Sequence, residues 1–438
     1  MAILSQEEAK RLIDKVLSYS KADEMKVELN GGRTGNIRFA RNSVSTAGAT
    51  NNLTVSVTAV LGKRIGTSDI NEFDEASLEK AVRRAEEMAR LAPENPEYMP
   101  MPGPQTYTSP QAFVETTAGM KAPDRARLAG ASIKSIMASQ LSGAGFLDDS
   151  ATFNAIGNSK GLFGYHKSTN ANFSLTIRTP DGTGSGYAAG DFNDVSKLKT
   201  GALTDIAIQK ARASQKAVAL EPGKYTVILE PLAAGELIQF MMRAMDARTA
   251  DEGRSFLSKK GGGTRLGEKL LDERVTIYSD PTDSQVPSSP FSGDGYPYEK
   301  VVWFDKGVVK NMSYSPYWAK QKGVKPLPEP SGFVMEGGTQ SLADMIKGTE
   351  KGILVTRFWY TRWLDPQTLL YTGLTRDGTF YIDNGQIKHP IKNFRFNESP
   401  VIMLNNLEAI GIPERTRGCM VPPLRIRDFT FSSLSDAV

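Results

Sequence analysis

Two histidines, His166 and His389, and one cysteine, Cys419, are the whole supply of imidazole and thiol in 438 residues. Zinc sites and nucleophilic triads lean on those groups, because an imidazole or a thiolate can bind a metal or move a proton near neutral pH. Neither histidine lies within a helical turn of another histidine, an Asp or a Glu in a metal-ligand pattern. His166, in Gly164-Tyr165-His166-Lys167, reads as a strand histidine, His389 before Pro390 as a structural one, and Cys419 as a buried or loop thiol. The glycine runs offer no phosphate cradle: Gly261-Gly262-Gly263 lacks a Gly-Lys-Ser/Thr ending, and Asp181-Gly182-Thr183-Gly184-Ser185-Gly186 lies between strands rather than opening a helix. The run with ligand-binding character is Arg357-Phe358-Trp359-Tyr360-Thr361-Arg362-Trp363. Arg and Trp are favoured at contact hot spots and an exposed strand edge can receive a peptide, so Arg357, Trp359, Tyr360 and Arg362 are the candidate substrate-binding residues.

The elements that must position these groups read as α+β. Ser5 with Glu8 makes a capping box before an amphipathic helix carrying Ala9, Leu12, Ile13, Val16 and Leu17. Short strand segments follow at Met25–Leu29 and Gly35–Ala40, with Gly31-Gly32 as a turn, and then Leu53, Val55, Val57, Ala59 and Leu61 alternate at period two. Asp74 caps a second helix with Leu78, Ala81, Val82, Ala85, Met88 and Ala89 on one face. Six prolines between Pro93 and Pro110 exclude regular structure there and predict a linker or strap. The pattern then restarts with a helix bearing Ala129, Ile133, Ile136, Met137 and Leu141, strands in which Thr169–Ile177 echoes Thr50–Val57, and a closing helix with Leu203, Ile206, Ala207 and Ala211. Asn158-Ser159 likewise echoes Asn42-Ser43. Helix, sheet, helix, twice over, predicts a duplicated N-terminal region over 1–220, with repeats at about 1–92 and 111–220 and the linker at 93–110. From 221 to 438 the chain reads as one β-rich domain, with a strand at Lys224–Leu229, a helix from about Leu232 to Ala247, and Asp/Asn/Lys-Gly hairpin turns at Lys306-Gly307 and Asn384-Gly385.

Composition narrows the function class. Apolar residues make up 39% and charged residues 23%, with 40 Gly and 24 Pro, which favours turn-rich sheet structure over a helical bundle. The net charge of +4 is spread among alternating signs, so a nucleic-acid stripe is not the expectation. No run of about 18 apolar residues and no signal-peptide pattern occurs, and one cysteine cannot form an internal disulfide, so the expected compartment is the cytoplasm and no membrane partner is expected.

In the second half, Gly352-Ile353-Leu354-Val355-Thr356, Asp365-Pro366-Gln367-Thr368, Gly378–Ile387 and His389-Pro390-Ile391-Lys392 follow one another in an order that resembles the C-terminal signature of the TldD/PmbA (TldD/TldE) family. Leu266-Gly267-Glu268-Lys269 and Phe304-Asp305-Lys306-Gly307-Val308 resemble its middle segment, and the Asn42-Ser43 region its N-terminal domain, so the likeness spans nearly the whole chain. The resemblance implies a cytoplasmic dimeric protein of a family once described as modulators of DNA gyrase and now read as a peptidase system. In that system a TldD subunit carries a zinc-binding His-Glu-x-x-x-His helix plus a distant cysteine, a TldE (PmbA) subunit lacks the metal, and the pair encloses a chamber for unfolded or short peptide.

The segment that resembles the zinc helix is Ala234–Ala244, in which Gln239, Phe240 and Ala244 stand where the first His, the Glu and the second His would be. None can bind zinc or act as the base there. Glu236 reads as a solvated helix residue, and Cys419 lacks imidazole partners. The resemblance therefore implies a metal-free TldE/PmbA-like subunit, without cofactor or catalytic residue of its own. Its expected partner is a zinc-bearing TldD-like paralogue or a second copy of itself. A stand-alone peptide hydrolase with an unrecognised site, or a regulator acting on DNA gyrase or nucleic acid, are the alternatives.

Overall fold

The computed structural model describes residues 3–435. Helix α1 (Gln6–Ser18) starts at the capping box: Glu8 N–H donates to Ser5 Oγ at 3.2 Å, and Ser5 N–H donates to Glu8 Oε2 at 2.8 Å. Three strands follow, β1 (Glu24–Ala40), β2 (Ser43–Leu61) and β3 (Arg64–Ile70), then α2 (Glu75–Leu91), capped by Asp74. After the proline-rich segment and the short α3 (Glu115–Ala118), the same order recurs as α4 (Ala122–Ala138), β4 (Ser142–Asn158), β5 (Phe163–Arg178), β6 (Ser185–Phe192) and α5 (Thr200–Ala213). The two strand trios form one antiparallel sheet, β3-β2-β1-β4-β5-β6, fused at its centre by β1–β4 pairing from Lys26↔Asn158 to Phe39↔Gly145. Both Asn-Ser pairs fall at the turn between the first two strands of their trio, and Arg41 and Asn42 take φ of 50° and 61°, the left-handed pair that a tight hairpin needs.

Period-two burial places Val27, Leu29, Ile37 and Phe39 of β1 under the helices, in two apolar clusters, one beneath α1 and α2 and one beneath α4 and α5. Gly31-Gly32 is no turn; it lies inside the 17-residue β1. Both glycines serve close approach: a Cβ on Gly31 would stand 2.7 Å from Leu53 Cδ1 and Phe153 Cε1, and one on Gly32 would stand 2.3 Å from the Ala151 carbonyl oxygen. Three apolar residues read into helix faces lie elsewhere. Met88 and Met137 are 45% and 59% exposed, and Ile206 is 42% exposed. Leu141 lies beyond α4, because the helix ends at Ala138.

The proline-rich segment contains no helix or strand from 93 to 110 and is strapped down by polar contacts. Tyr98 Oη and Met101 N–H donate to Glu24 Oε2 at 2.7 and 2.8 Å, Tyr107 Oη donates to the Gly295 carbonyl at 2.7 Å, and Arg248 holds both Glu97 oxygens at 2.8 Å.

The second half opens with β7 (Gly223–Leu229) and α6 (Pro231–Arg243). Strand Lys351–Asp365 pairs with β7 in parallel, β7 pairs with Leu424–Leu434, that strand with Phe394–Glu398, that one with Leu370–Asp383, and Leu370–Asp383 returns to Lys351–Asp365. Five strands thus close a ring, filled by Phe358, Phe394, Phe396, Phe429 and Phe431 and packed against Leu237, Ile238 and Met241 of α6. A second sheet of short strands runs Val308–Val309, Val301–Asp305, Ile277–Ser279, Val334–Met335, Cys419–Val421 and Glu414–Thr416. α6 ends at Arg243 rather than Ala247, and a separate short helix begins at Ala247 behind the Asp246 cap. Among the described residues no helix is long and apolar enough to cross a membrane.

Gly32, at φ 146° against the Ala151 backbone, should resist any side chain. Gly32→Ala is expected to lower unfolding stability by about 1–3 kcal/mol. Gly48→Ala, where the new methyl would meet a single atom at 3.9 Å, is expected to leave it unchanged. Equal denaturation midpoints for the two variants would contradict this account of the sheet.

Candidate functional site

α6 is set at the junction of the two halves by its first residues. Glu230, its N-cap, accepts two hydrogen bonds from Lys210 Nζ of α5 at 2.6 and 2.8 Å and one from Thr356 Oγ1 at 3.3 Å. Along the helix, Ala233, Ala234, Leu237, Ile238, Met241 and Met242 are buried. Glu236 is not solvated, since its side chain is only 11% exposed. It accepts from Thr361 Oγ1 at 2.6 Å and pairs with Arg417 Nη1 at 3.0 Å, so its carboxylate is committed to tying α6 to two neighbouring segments.

The positions that resemble a zinc helix do not fit a metal. Gln239 is half-buried, Phe240 stacks on Tyr371 with ring centroids 4.7 Å apart and planes 16° from parallel, and Ala244 lies past the last helical residue. Cys419 stands in the short-strand sheet, buried, and burial pushes its thiol up to about 11, away from the thiolate a metal needs. Its loop is pinned to the N-terminal sheet: Arg415 Nε and Gly418 N–H both donate to Asp191 Oδ2, at 3.1 and 3.0 Å, and Arg415 Nη1 donates to Asn193 Oδ1 at 2.8 Å. His166 lies in β5 with its pKa pushed down to about 4 by burial, and His389 stacks on Tyr381 at 5.3 Å in strand Gln386–Pro390. The three candidate ligands stand in three different sheets. Among the described residues no group of three or more His, Cys, Asp or Glu could hold a metal ion.

The arginine and aromatic run lies on strand Lys351–Asp365, whose three register irregularities split it into two groups. Arg357 faces the N-terminal sheet. Arg357 donates through Nε to Asp377 Oδ2 at 2.8 Å, pairs with the same oxygen through Nη2, and its guanidinium lies 4.0 Å over the Tyr187 ring of β6. Trp359 is covered by the Arg376 guanidinium at 3.9 Å. Phe358 points the other way, into the ring core against Phe396 at 4.3 Å. Beyond the irregularity, Tyr360 has φ 59° and is 58% exposed, with Arg362 4.7 Å over its ring, while Trp363 is 55% exposed. Arg357 and Trp359 are half-buried and Tyr360 and Arg362 exposed, and the two parts meet where the Trp359 and Tyr360 rings lie edge to face, 4.6 Å between centroids. The reading from sequence missed Tyr187, Arg376 and Asp377. Asp377, at 2% exposure and φ 55° inside a strand, also accepts from Ser185 Oγ of β6. The adjacent Arg376-Asp377 charges, in the middle of a strand with no other charge before its last residue, Asp383, were the available signal.

Three consecutive family models match the chain: PmbA/TldA metallopeptidase domain 1 over residues 27–89, the central domain over 103–220, and the C-terminal domain over 222–433. The chain belongs to the PmbA/TldD family. Its fold superimposes on TldE from Thermococcus kodakarensis with a TM-score of 0.86 at 18% identity, covering 97% of this chain and 99% of that one. A proposed modulator of DNA gyrase from Bacteroides thetaiotaomicron gives 0.87 at 22% identity, covering 99% and 100%. At these identities the likeness establishes the fold. In sequence, an uncharacterized protein of Methanocaldococcus jannaschii is 27% identical over 52% of this chain and 54% of its own length. A metalloprotease of Methanothermobacter thermautotrophicus is 23% identical over 46% and 47%. The chain thus spans about half the length of these two relatives.

Burial keeps His166 neutral in the folded state, with a folded pKa of about 4 against an unfolded value near 6.5. The unfolded chain then binds more protons in between, so this residue's contribution to stability is full above about pH 6.5 and is lost as pH falls toward 4. His166→Asn is expected to flatten the unfolding free energy over that window relative to the parent, as read by denaturant titration. Parallel curves for the two proteins would contradict it.

Proposed function

We propose that this chain is a metal-free, TldE/PmbA-like subunit that binds unfolded or short peptide for cleavage by a zinc-bearing TldD-like partner in the cytoplasm. The observation that carries the reading is the substitution of the zinc-helix positions by Gln239, Phe240 and Ala244, with the Phe240 ring stacked on Tyr371 where a catalytic carboxylate would need room and solvent. Glu236 and Cys419, the remaining groups nearby, are respectively locked in an ion pair and buried as a thiol, which weighs against a hydrolase acting alone.

Peptide handling has its own support in the sheet. β3 pairs with β2 only over Val55–Leu61, so the outer edge of Ser43–Thr54 carries no further strand among the described residues. Ser43–Asn52 is exposed throughout and contains Ser, Thr, Ala, Gly, Asn and a single Val, with no charge and no proline. Soluble proteins ordinarily blunt such an edge with lysines, prolines or a bulge; here the register skips Ser45, and from Thr46 to Thr54 the edge runs on without such a device as a template for an added strand recognised through its main chain. Small neutral side chains there would select little among peptide sequences.

Cleavage of an unfolded peptide by this chain alone, by a zinc-bearing TldD-like paralogue alone and by the two together tests the proposal. The chain alone is expected to be inactive, and the mixture more active than the paralogue by itself. Cleavage by the lone chain, or no gain on mixing, would overturn it.

A further inference from the structure

Beyond the end of α6, three loop segments enclose a recess of about 220 Å³. Backbone bonds fix them in place. In the first, Ser292 and Tyr298 N–H donate to the Tyr296 and Pro290 carbonyls, each at 2.9 Å. The second and third are joined where Tyr314 and Leu327 exchange backbone bonds of 2.8 and 3.0 Å, and Ser313 N–H donates to the Met245 carbonyl at 2.7 Å. Three tyrosines, Tyr296, Tyr298 and Tyr314, and three carboxylates, Asp246, Asp294 and Glu329, line the recess. Pro316, Pro326 and Pro328, each with a fixed φ, stiffen its wall. No lysine or arginine is among its lining residues in the described part of the chain, although the chain as a whole carries a net charge of +4.

The negative charge here is unanswered. Asp294 and Glu329 are exposed and make no hydrogen bond or ion pair among the described residues. Asp246 spends one oxygen on the cap of the short helix that follows, accepting from Thr249 N–H at 2.7 Å. Burial raises the Tyr298 phenol above its ordinary value, and the charges of Glu329 and Asp294 add to the rise; burial and then Asp294 do the same to Tyr296. The phenols therefore stay neutral and lie within the field of the carboxylates. Lys26, in the wall of the adjoining recess, is already committed to the Gly293 carbonyl at 2.9 Å and to Glu28 at 3.0 Å.

The spacing decides which cation fits. Carboxylates that hold a metal must converge on one point, and among the described residues no group of three or more His, Cys, Asp or Glu could do so. Carboxylates spread among tyrosines suit an organic cation, an ammonium or guanidinium, which gains from aromatic rings as well as from charge. The recess continues into a second one of about 430 Å³ with which it shares Asp294, Tyr296, Ser315 and Pro316, and whose wall includes Val60, Ile65, Met99 and Met101. A cationic group with an apolar neighbour is what a peptide segment carries and a small free amine lacks.

We propose that this recess binds a cationic group of an extended peptide, either a Lys or Arg side chain or the N-terminal ammonium, with an apolar neighbour seated in the adjoining recess. The proposal rests on the peptide-binding reading above and adds to it an acidic, aromatic anchor. Main-chain pairing along β2 selects little among sequences, and the anchor supplies a preference for positive charge.

The test is fluorescence anisotropy on the purified full chain with three peptides of Leu and Ser, labelled at an amidated C-terminus: one N-acetylated and uncharged, one N-acetylated with a single Lys, and one uncharged except for a free N-terminus. A cationic peptide is expected to bind about tenfold more tightly than the uncharged one, the strength of one cation held by carboxylates and rings. A gain for the Lys peptide alone assigns the recess to side chains, a gain for the free amine alone assigns it to chain ends, and a gain for both assigns it to either. Asp294→Asn with Glu329→Gln, at two exposed positions that do not threaten folding, should remove the gain. Tyr298→Leu, checked for an unchanged circular dichroism spectrum, should reduce it. Asp69→Asn with Glu87→Gln, which removes two exposed carboxylates outside the recess, should leave the gain in place. Equal binding of all three peptides, a gain that survives Asp294→Asn with Glu329→Gln, or an equal loss from the two double substitutions would each overturn the anchor while leaving the peptide reading standing. Absence of binding by all three peptides would overturn both.

Discussion

The buried carboxylate of Asp377 is the constraint on which the arrangement of the two halves depends. It sits on a strand of the closed ring, yet it accepts from Ser185 on the outermost strand of the N-terminal sheet and from Arg357 on the neighbouring ring strand. Stripping a partner from such a buried pair ordinarily costs about 3–5 kcal/mol, because the remaining charge is left desolvated. The same seam is crossed by Arg415 to Asp191 and Asn193, by Lys210 to Glu230 and, at the far end, by Arg248 to Glu97. These contacts hold α6, the loop of Cys419 and the arginine cluster in a fixed relation to the sheet. A polar seam of this kind specifies one docking geometry, whereas an apolar one would tolerate sliding.

The apolar interior does a different job. The phenylalanines of the closed ring and the buried face of α6 form one cluster, while the two helix pairs of the N-terminal sheet each have their own. β1 and β4 run through both N-terminal clusters, so neither repeat completes its core without strands of the other. The outcome is a scaffold that leaves the outer edge of β2 from Ser43 to Thr54 without a further strand among the described residues. On the proposed reading, a chain of this metallopeptidase family whose zinc-helix positions are filled by an aromatic stack would hold a peptide and leave the cutting to a partner.

Local periodicity made much of this legible from sequence. The Ser5 capping box, the Asp74 cap, the alternation from Leu53 to Leu61 and the left-handed pairs Lys306-Gly307 and Asn384-Gly385 all depend on neighbours within a few residues, and each appears in the structure. The errors have one physical origin. Gly31-Gly32 carries a turn composition, but its reason for being glycine is the close approach of Leu53, Phe153 and the Ala151 backbone, residues of other strands. Met137 and Ile206 have apolar side chains at helical spacing, but which arc of a helix meets the sheet is decided by packing. Arg357 and Trp359 were read as candidates because they stand out as residue types. Arg178, Arg376 and Asp377 were not, since their meeting with Arg357 depends on contacts across nearly two hundred residues that no spacing rule encodes. The closure of five strands into a ring was equally invisible, because β7 pairs with strands far along the chain, Lys351–Asp365 and Leu424–Leu434, and no local pattern encodes that pairing.

The most direct test of the central claim is zinc stoichiometry, measured by elemental analysis alongside native mass, for the chain alone and for its complex with a zinc-bearing TldD-like paralogue. The account predicts no bound zinc in the chain alone and one zinc per heterodimer in the complex. One zinc per molecule of the lone chain would contradict it, for the metal would then have to be held by residues that the structure places in separate sheets.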